Sequence, residues 1–432
     1  MITTTHVHHH RGRILLPALS ALAIAFGIAC QDRGGRGPAQ AGVSDTAAYQ
    51  AATETQDAAA RTASFEDFLA HYPKSIFRPP VYRRLYDLKA AAGDLAGAES
   101  FLHTSLKKER DPEARSALYY ALCAHVLSHQ PKELHGTLER MLADKGPLSY
   151  ELLNAVSWDL AEAGQELDVA LELADRAVAA APDSIARATT LDTRGWVRLK
   201  RNEHASAVDD FQAARKLIPQ PVPEIEDHLA QALAASGDRT GARQIYVDLL
   251  VDHEIPALRA RVAGLSQEMG ESPAKAFAEV DQRRVARSVE APDFTLADYQ
   301  GRKVRLRSLR GQVVLLNFWH PTCGPCRAEF PHLQAFQHEL KGRGFTVVGV
   351  EVTRRPELAQ QFLKELGVTF PVVEDKTDVA GGLYQVTGTP TNFLIDREGR
   401  IIFRGVGYAP GGEGELRAQI EYLLTRKPVP VS

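Results

Sequence analysis

Cys323 and Cys326 frame the stretch Cys323-Gly324-Pro325-Cys326 and are two of only four cysteines in 432 residues. Two thiols at this spacing can close into a disulfide and reopen, which is redox chemistry. The same pair could instead hold a metal or form an inert bond. Zinc normally needs four nitrogen or sulfur ligands, and neither a second CxxC nor an HxxxH accompanies this one; His320 and His332 are near in sequence but complete no set. No metal is expected. A permanently oxidised structural disulfide is the remaining alternative, in a compartment that offers no reducing partner.

The elements on either side favour the redox reading. Val313-Val314-Leu315-Leu316-Asn317-Phe318-Trp319 has the length and the β-branched, aromatic character of a buried strand. Cys326 to Leu340 carries apolar residues at helical spacing. The pair therefore sits at a strand-to-helix turn.

A 44% hydrophobic fraction in a chain of this length supports two or three domains with real cores. A formal net charge of -3 on balanced acids and bases gives no reason to expect a nucleic-acid partner or a polybasic membrane patch. Four cysteines are too few for a disulfide scaffold.

Residues 1–30 read as a targeting segment: Arg11 and Arg13, an apolar run from Ile14 to Ala29, then Cys30. The run is short for a spanning helix. Its end, Gly27-Ile28-Ala29-Cys30, resembles a bacterial lipoprotein signal, which implies lipidation of Cys30 as the first mature residue. Gly27 stands where that motif usually has a larger apolar residue. A plain cleaved signal peptide and an uncleaved anchor helix are the alternatives, and all three place the rest of the chain outside the cytoplasm. His6, His8, His9 and His10 precede the run and leave with it on cleavage. Residues 31–46, rich in glycine and polar side chains, read as a flexible tether.

From 47 to 287 alanine, leucine, glutamate and arginine recur with helical periodicity. Trp196, Ala207, Phe211, Ala214 and Pro219 fit the tetratricopeptide pattern of paired antiparallel helices, with equivalents at Trp158, Ala170, Ala174, Ala177 and Pro182. The steps from Ala170 to Ala207 and from Ala207 to Ala242 are 37 and 35 residues, against an expected period of about 34. Small residues at these positions allow close helix approach. The expectation is an all-α, tetratricopeptide-like solenoid whose concave face binds a protein partner; a rigid spacer or dimerisation element is the alternative. Cys123, in an apolar helix with no neighbouring cysteine, reads as a buried small hydrophobe.

Residues 288–432 change character. Alternating strand and helix patterns end in a hairpin around Asp396-Arg397-Glu398-Gly399 and a helix from Glu415 to Leu424, which describes an α/β domain around a central sheet. Ala291-Pro292-Asp293-Phe294, Asn317-Phe318-Trp319, Cys323 through Pro331 and Gly388-Thr389-Pro390-Thr391 together resemble the extracytoplasmic thioredoxin-like family of TlpA and ResA, over about a third of the chain.

That resemblance implies a thioredoxin-like fold, client protein disulfides as substrates, a membrane or envelope electron donor, and no cofactor beyond a redox-active Cys323–Cys326 disulfide. It places Pro390 in a cis-proline loop facing the thiols, with Thr389, Trp319 and Pro325 as substrate contacts. Geometry adds roles for the thiols. Cys323, at the helix start, gains thiolate stabilisation from free N–H groups and is the expected nucleophile; Cys326, turned inward, is the resolving thiol. Pro331 is expected to kink the helix.

Two departures matter. Thioredoxin carries a buried aspartate where this chain has Asn317, so proton transfer must be served otherwise, and Glu329 and Glu351 are candidates, with a structural role as the alternative for each. Thr322 replaces the tryptophan common before the first cysteine. The expected function is an envelope-anchored thiol-disulfide oxidoreductase acting as a reductant. An interaction scaffold with a docking or structurally oxidised domain is the alternative, and a peroxidase would call for a lone peroxidatic cysteine in a different context.

Overall fold

Ser44, Asp57, Asp94, Asp111, Ser149 and Asp183 each accept a hydrogen bond from the backbone N–H three residues on, and each opens a helix. These caps punctuate the first part of a computed structural model that describes residues 44–144 and 146–426. The expected leader with Cys30, and the tether up to residue 43, lie outside the described residues. Residues 45 and 46, read as tether, begin the first helix.

The chain divides into two compact units, one ending at Asp238 and one running from Arg239. The first holds α1 (Asp45–Glu54), α2 (Ala58–His71), α3 (Arg78–Ala91), α4 (Leu95–Lys108), α5 (Pro112–His129), α6 (Leu134–Leu142), α7 (Tyr150–Ala163), α8 (Leu167–Ala180), α9 (Ser184–Lys200), α10 (His204–Lys216) and α11 (Pro223–Ser236). Neighbours pair as hairpins, and the first helices of successive pairs, α3, α5, α7, α9 and α11, contact in series. That is the tetratricopeptide-like arrangement the spacing predicts.

Side chains at the crossings explain the period. Ala170, Ala174, Ala177, Ala207 and Ala214 are completely buried, and a Cβ on Gly195 would meet the Phe211 ring at 2.8 Å, so α9 and α10 approach where only glycine fits. Trp158 and Trp196 stack at 5.6 Å and His228 lies 4.6 Å from Trp196, one ring from each of α7, α9 and α11. Cys123 is buried in α5 against Met141, 3.9 Å between sulfurs, and burial pushes its thiol up to about 12.

The second unit opens with α12 (Arg239–Asp252), α13 (Pro256–Glu268) and α14 (Pro273–Arg287) and continues into an α/β domain. Its strands are β1 (Val289–Glu290), β2 (Thr295–Ala297), β3 (Lys303–Arg305), β4 (Val313–Trp319), β5 (Phe345–Glu351), β6 (Val372–Glu374), β7 (Thr391–Ile395) and β8 (Arg400–Val406). Its helices are α15 (Gly324–Leu340), α16 (Pro356–Glu365) and α17 (Glu413–Thr425). The main sheet runs β1-β8-β7-β4-β5-β6, with β4, β5 and β6 parallel and β7 and β8 antiparallel, and β2 pairs with β3 alone.

Every residue of β4 is buried, because the sheet is covered on both faces. Val313, Leu315 and Trp319 pack with Phe330, Phe336 and Phe362 on one face. Val314, Leu316 and Phe318 pack with Phe294, Tyr384 and Phe393 on the other. This alternation also aims Asn317 toward α15.

Helices α12 to α14, which the sequence groups with the solenoid, form one unit with the α/β domain. The Arg284 side chain is fully buried, donates to Glu254 Oε2 at 2.7 Å, to the Val251 carbonyl at 3.2 Å and to the Leu250 carbonyl. Its guanidinium lies 4.7 Å from the Phe403 ring centre and 4.3 Å from that of Tyr422. The Tyr422 hydroxyl in turn donates to Asp281 at 2.7 Å.

Candidate active site

Cys323 caps the N-terminus of α15 and receives the Cys326 N–H on its sulfur at 3.1 Å. A helix N-terminus favours negative charge, so the same geometry steadies Cys323 as a thiolate once the pair is reduced. In the structure the two sulfurs are bonded, with 5.2 Å between the Cα atoms. Cys323 keeps 7% of its surface exposed and Cys326 none. Pro331 lies inside α15 without ending it.

The Thr389–Pro390 peptide bond is cis, and the Thr389 carbonyl oxygen lies 3.6 Å from Cys323 Sγ. The Pro390 carbonyl accepts from the Gly407 N–H at 2.7 Å, which holds this loop to the end of β8. Gly324, Pro325 and Thr322 are exposed around the pair, and Thr322 Oγ1 lies 3.0 Å from His320 Nδ1. Thr389 and Pro325 thus stand beside the exposed edge of the disulfide.

Trp319 does not stand there. Its side chain has no exposed surface and packs 4.7 Å from Phe330 and 4.9 Å from Phe362. The expected substrate contact is corrected to a core role, because the odd-numbered face of β4 is covered by α15 and α16.

Glu329 and Glu351 part company. Glu351 is buried and accepts from the backbone N–H groups of Thr353 at 2.8 Å and Arg354 at 2.9 Å, which braces the turn after β5. Glu329 follows Cys326 by one helical turn and is 1% exposed. Its Oε2 accepts from Asn317 Nδ2 at 3.0 Å and its Oε1 from Asn392 Nδ2 at 2.6 Å. Asn317 and Asn392 face each other across β4 and β7, and Asn317 donates to Asn392 Oδ1 at 2.8 Å. The sequence reading passed over Asn392; an amide inside a buried strand, matching Asn317, was the signal.

Burial pushes the Glu329 carboxyl up to about 7, against the two amide donors that pull it down. The folded value lies above the unfolded one, about 4.3. The associated stability is therefore full below about pH 4 and is lost as pH rises through 7, a change on the order of 3 kcal/mol. Denaturant unfolding of the oxidised chain at pH 5 and pH 8 should show that loss, and Glu329→Gln should remove it. An equal pH dependence in both proteins would contradict the assignment.

This geometry, a bonded CxxC at a strand-to-helix turn opposite a cis-proline loop on a mixed sheet, defines a thioredoxin-like thiol-disulfide oxidoreductase. A model of the AhpC/TSA family matches residues 288–404. The chain is 32% identical over 131 residues to the thiol-disulfide oxidoreductase ResA of Bacillus thuringiensis (strain Al Hakam), covering 30% of this chain and 75% of that one. It is 36% identical over 118 residues to ResA of Bacillus subtilis (strain 168), covering 27% and 66%. A crystal structure of a thioredoxin-family thiol:disulfide interchange protein from Chlorobium tepidum TLS is similar at 29% identity, over 32% of this chain and 97% of that one, with a TM-score of 0.30. Through its C-terminal domain the chain belongs to the family of ResA thiol-disulfide oxidoreductases.

Proposed function

We propose that the protein reduces disulfides of client proteins in the cell envelope, held to a membrane through a lipidated Cys30, with the helical unit binding a protein partner. The observation that carries the redox part is Cys323, which caps α15 and keeps an exposed edge beside the Thr389 carbonyl. Reduced Cys323 attacks one client sulfur as thiolate and the other client sulfur leaves, giving a mixed disulfide. Cys326 then attacks Cys323, the second client thiol is released, and the internal bond closes. Two electrons pass to the client, and a membrane or envelope dithiol restores them.

Glu329 serves as the proton group for Cys326 in this reading, one helical turn away and buried with it. The exposed Gly324-Pro325 tip and the Thr389 backbone receive the client strand. Envelope placement is supported by the leader pattern ending in Cys30. Among the described residues no helix is long and apolar enough to cross a membrane.

The test is insulin reduction with dithiothreitol by the full chain. Precipitation of insulin well above the uncatalysed rate supports the reading. An inert chain, under conditions where a thioredoxin control works, leaves the scaffold reading in its place.

A further inference from the structure

A cavity of about 230 Å³ lies within the second unit, between β8, the segment that follows it, α17 and the end of α12. Glu329 and Asn392 line it, and so do Tyr408 and Glu415. Asp252 and His253, residues of the helical segment that precedes the α/β domain, form part of its wall as well. It has room for water, and although apolar side chains such as Leu394, Phe403 and Leu416 make up much of its lining, Glu329, Asn392, Tyr408, His253 and Glu415 supply polar groups to hold it.

The lining groups differ in their access to solvent. Glu329 is 1% exposed, whereas the His253 and Glu415 side chains are each about a third exposed, at 33% and 32%. The cavity therefore joins a buried carboxylate to a pair at the surface. His253 Nδ1 lies 3.0 Å from Glu415 Oε1, and Gln419 also donates to that oxygen at 3.1 Å. Asp252 is paired with Arg287 at 3.0 Å, and the Arg404 guanidinium lies over the Phe393 ring.

His253 is held in place by the buried Arg284. The Arg284 donors to the carbonyls of Leu250 and Val251, and to Glu254, fix the chain on both sides of His253 against β8 and α17. This is more positioning than a surface histidine needs. Imidazole is also the side chain that gains and loses a proton most readily near neutral pH.

We propose that Glu329 exchanges its proton with solvent through this cavity, and that His253 is the relay group at the exposed end. The proposal rests on Glu329 being the proton group of the thiol pair. When a dithiol reduces the protein, its first sulfur bonds to Cys323, the Cys323–Cys326 bond breaks, and Cys326 leaves as thiolate. Cys326 takes the proton of Glu329. The Glu329 carboxylate regains one from the His253 imidazolium through the cavity water, and His253 is recharged from solvent, where the dithiol has shed its two protons. The dithiol's second sulfur then displaces Cys323. Two electrons and one proton thus pass to the protein, the proton at Cys326; Cys323 leaves as thiolate, and the dithiol's other proton stays in solvent.

His253→Ala and His253→Gln in the full chain test it, by single-turnover reduction at pH 7 with saturating dithiothreitol, read by acid quench and alkylation. Both should slow reduction about tenfold, and 50 mM imidazole (about that concentration) should restore the alanine variant. Glutamine can still bond Glu415 but relays no proton, so it separates relay from support. Full speed in both variants, or slowing that imidazole does not rescue, overturns the relay while leaving Glu329 in its role. Full speed in Glu329→Gln removes the underlying reading, and the relay with it.

Discussion

Cys326→Ser in the full chain accumulates mixed disulfides with client proteins, and Cys323→Ser does not. Both fall to the background of the insulin assay, a loss of at least ~10³, since neither thiol alone completes the exchange. The asymmetry follows from position. Cys323 retains an exposed edge and the helix N-terminus behind it, while Cys326 has no surface from which to meet a protein substrate. With Cys326 absent, the bond between Cys323 and the client has no internal attacker and persists. Non-reducing electrophoresis and mass spectrometry of the trapped adducts read the result. Adducts on Cys323→Ser with none on Cys326→Ser would reverse the roles.

Arg284→Ala lowers the stability of the second unit by about 3 kcal/mol, the lower end for removing one partner of a buried ion pair. The substitution strips hydrogen bonds from the carbonyls of Leu250 and Val251 and takes a cation from between Phe403 and Tyr422. Glu254 keeps Arg259, which bonds its Oε2 at 3.1 Å, so the remaining charge is not left alone. Thermal unfolding followed by circular dichroism should show the drop. Arg284→Met, which keeps bulk but not donors, should recover only part of it. A variant as stable as the parent would mean that α12 to α14 are not held through this residue.

The redox pair, the buried strand before it and the helix after it were legible in the sequence because each is a local pattern. β4 is a run of seven buried residues, and six helices of the first unit open on an Asp or Ser cap. The side on which a residue falls was less legible. Trp319 and Asn317 point the same way from β4, yet one reads as an aromatic near the thiols and the other as a departure from thioredoxin; only the covering helices show that both are interior. Glu329 and Glu351 looked alike as acids near the site, and partners from β7 and from the turn after β5 separate them. The attachment of α12 to α14 was hidden for a different reason. Their period continues that of the solenoid, while the aromatic partners of Arg284 lie far downstream, in β8 and α17.

Cys123 is sealed against Met141 with its thiol held near 12, and it is the only free cysteine among the described residues. A thiolate there is scarce at neutral pH and out of reach of a reagent. Electrons entering the described part of the folded protein therefore become visible at one address. Among the described cysteines, an alkylating tag that adds mass to native protein counts reduced Cys323 and little else, so the fraction of molecules carrying charge for a client can be weighed from the peptide that holds it.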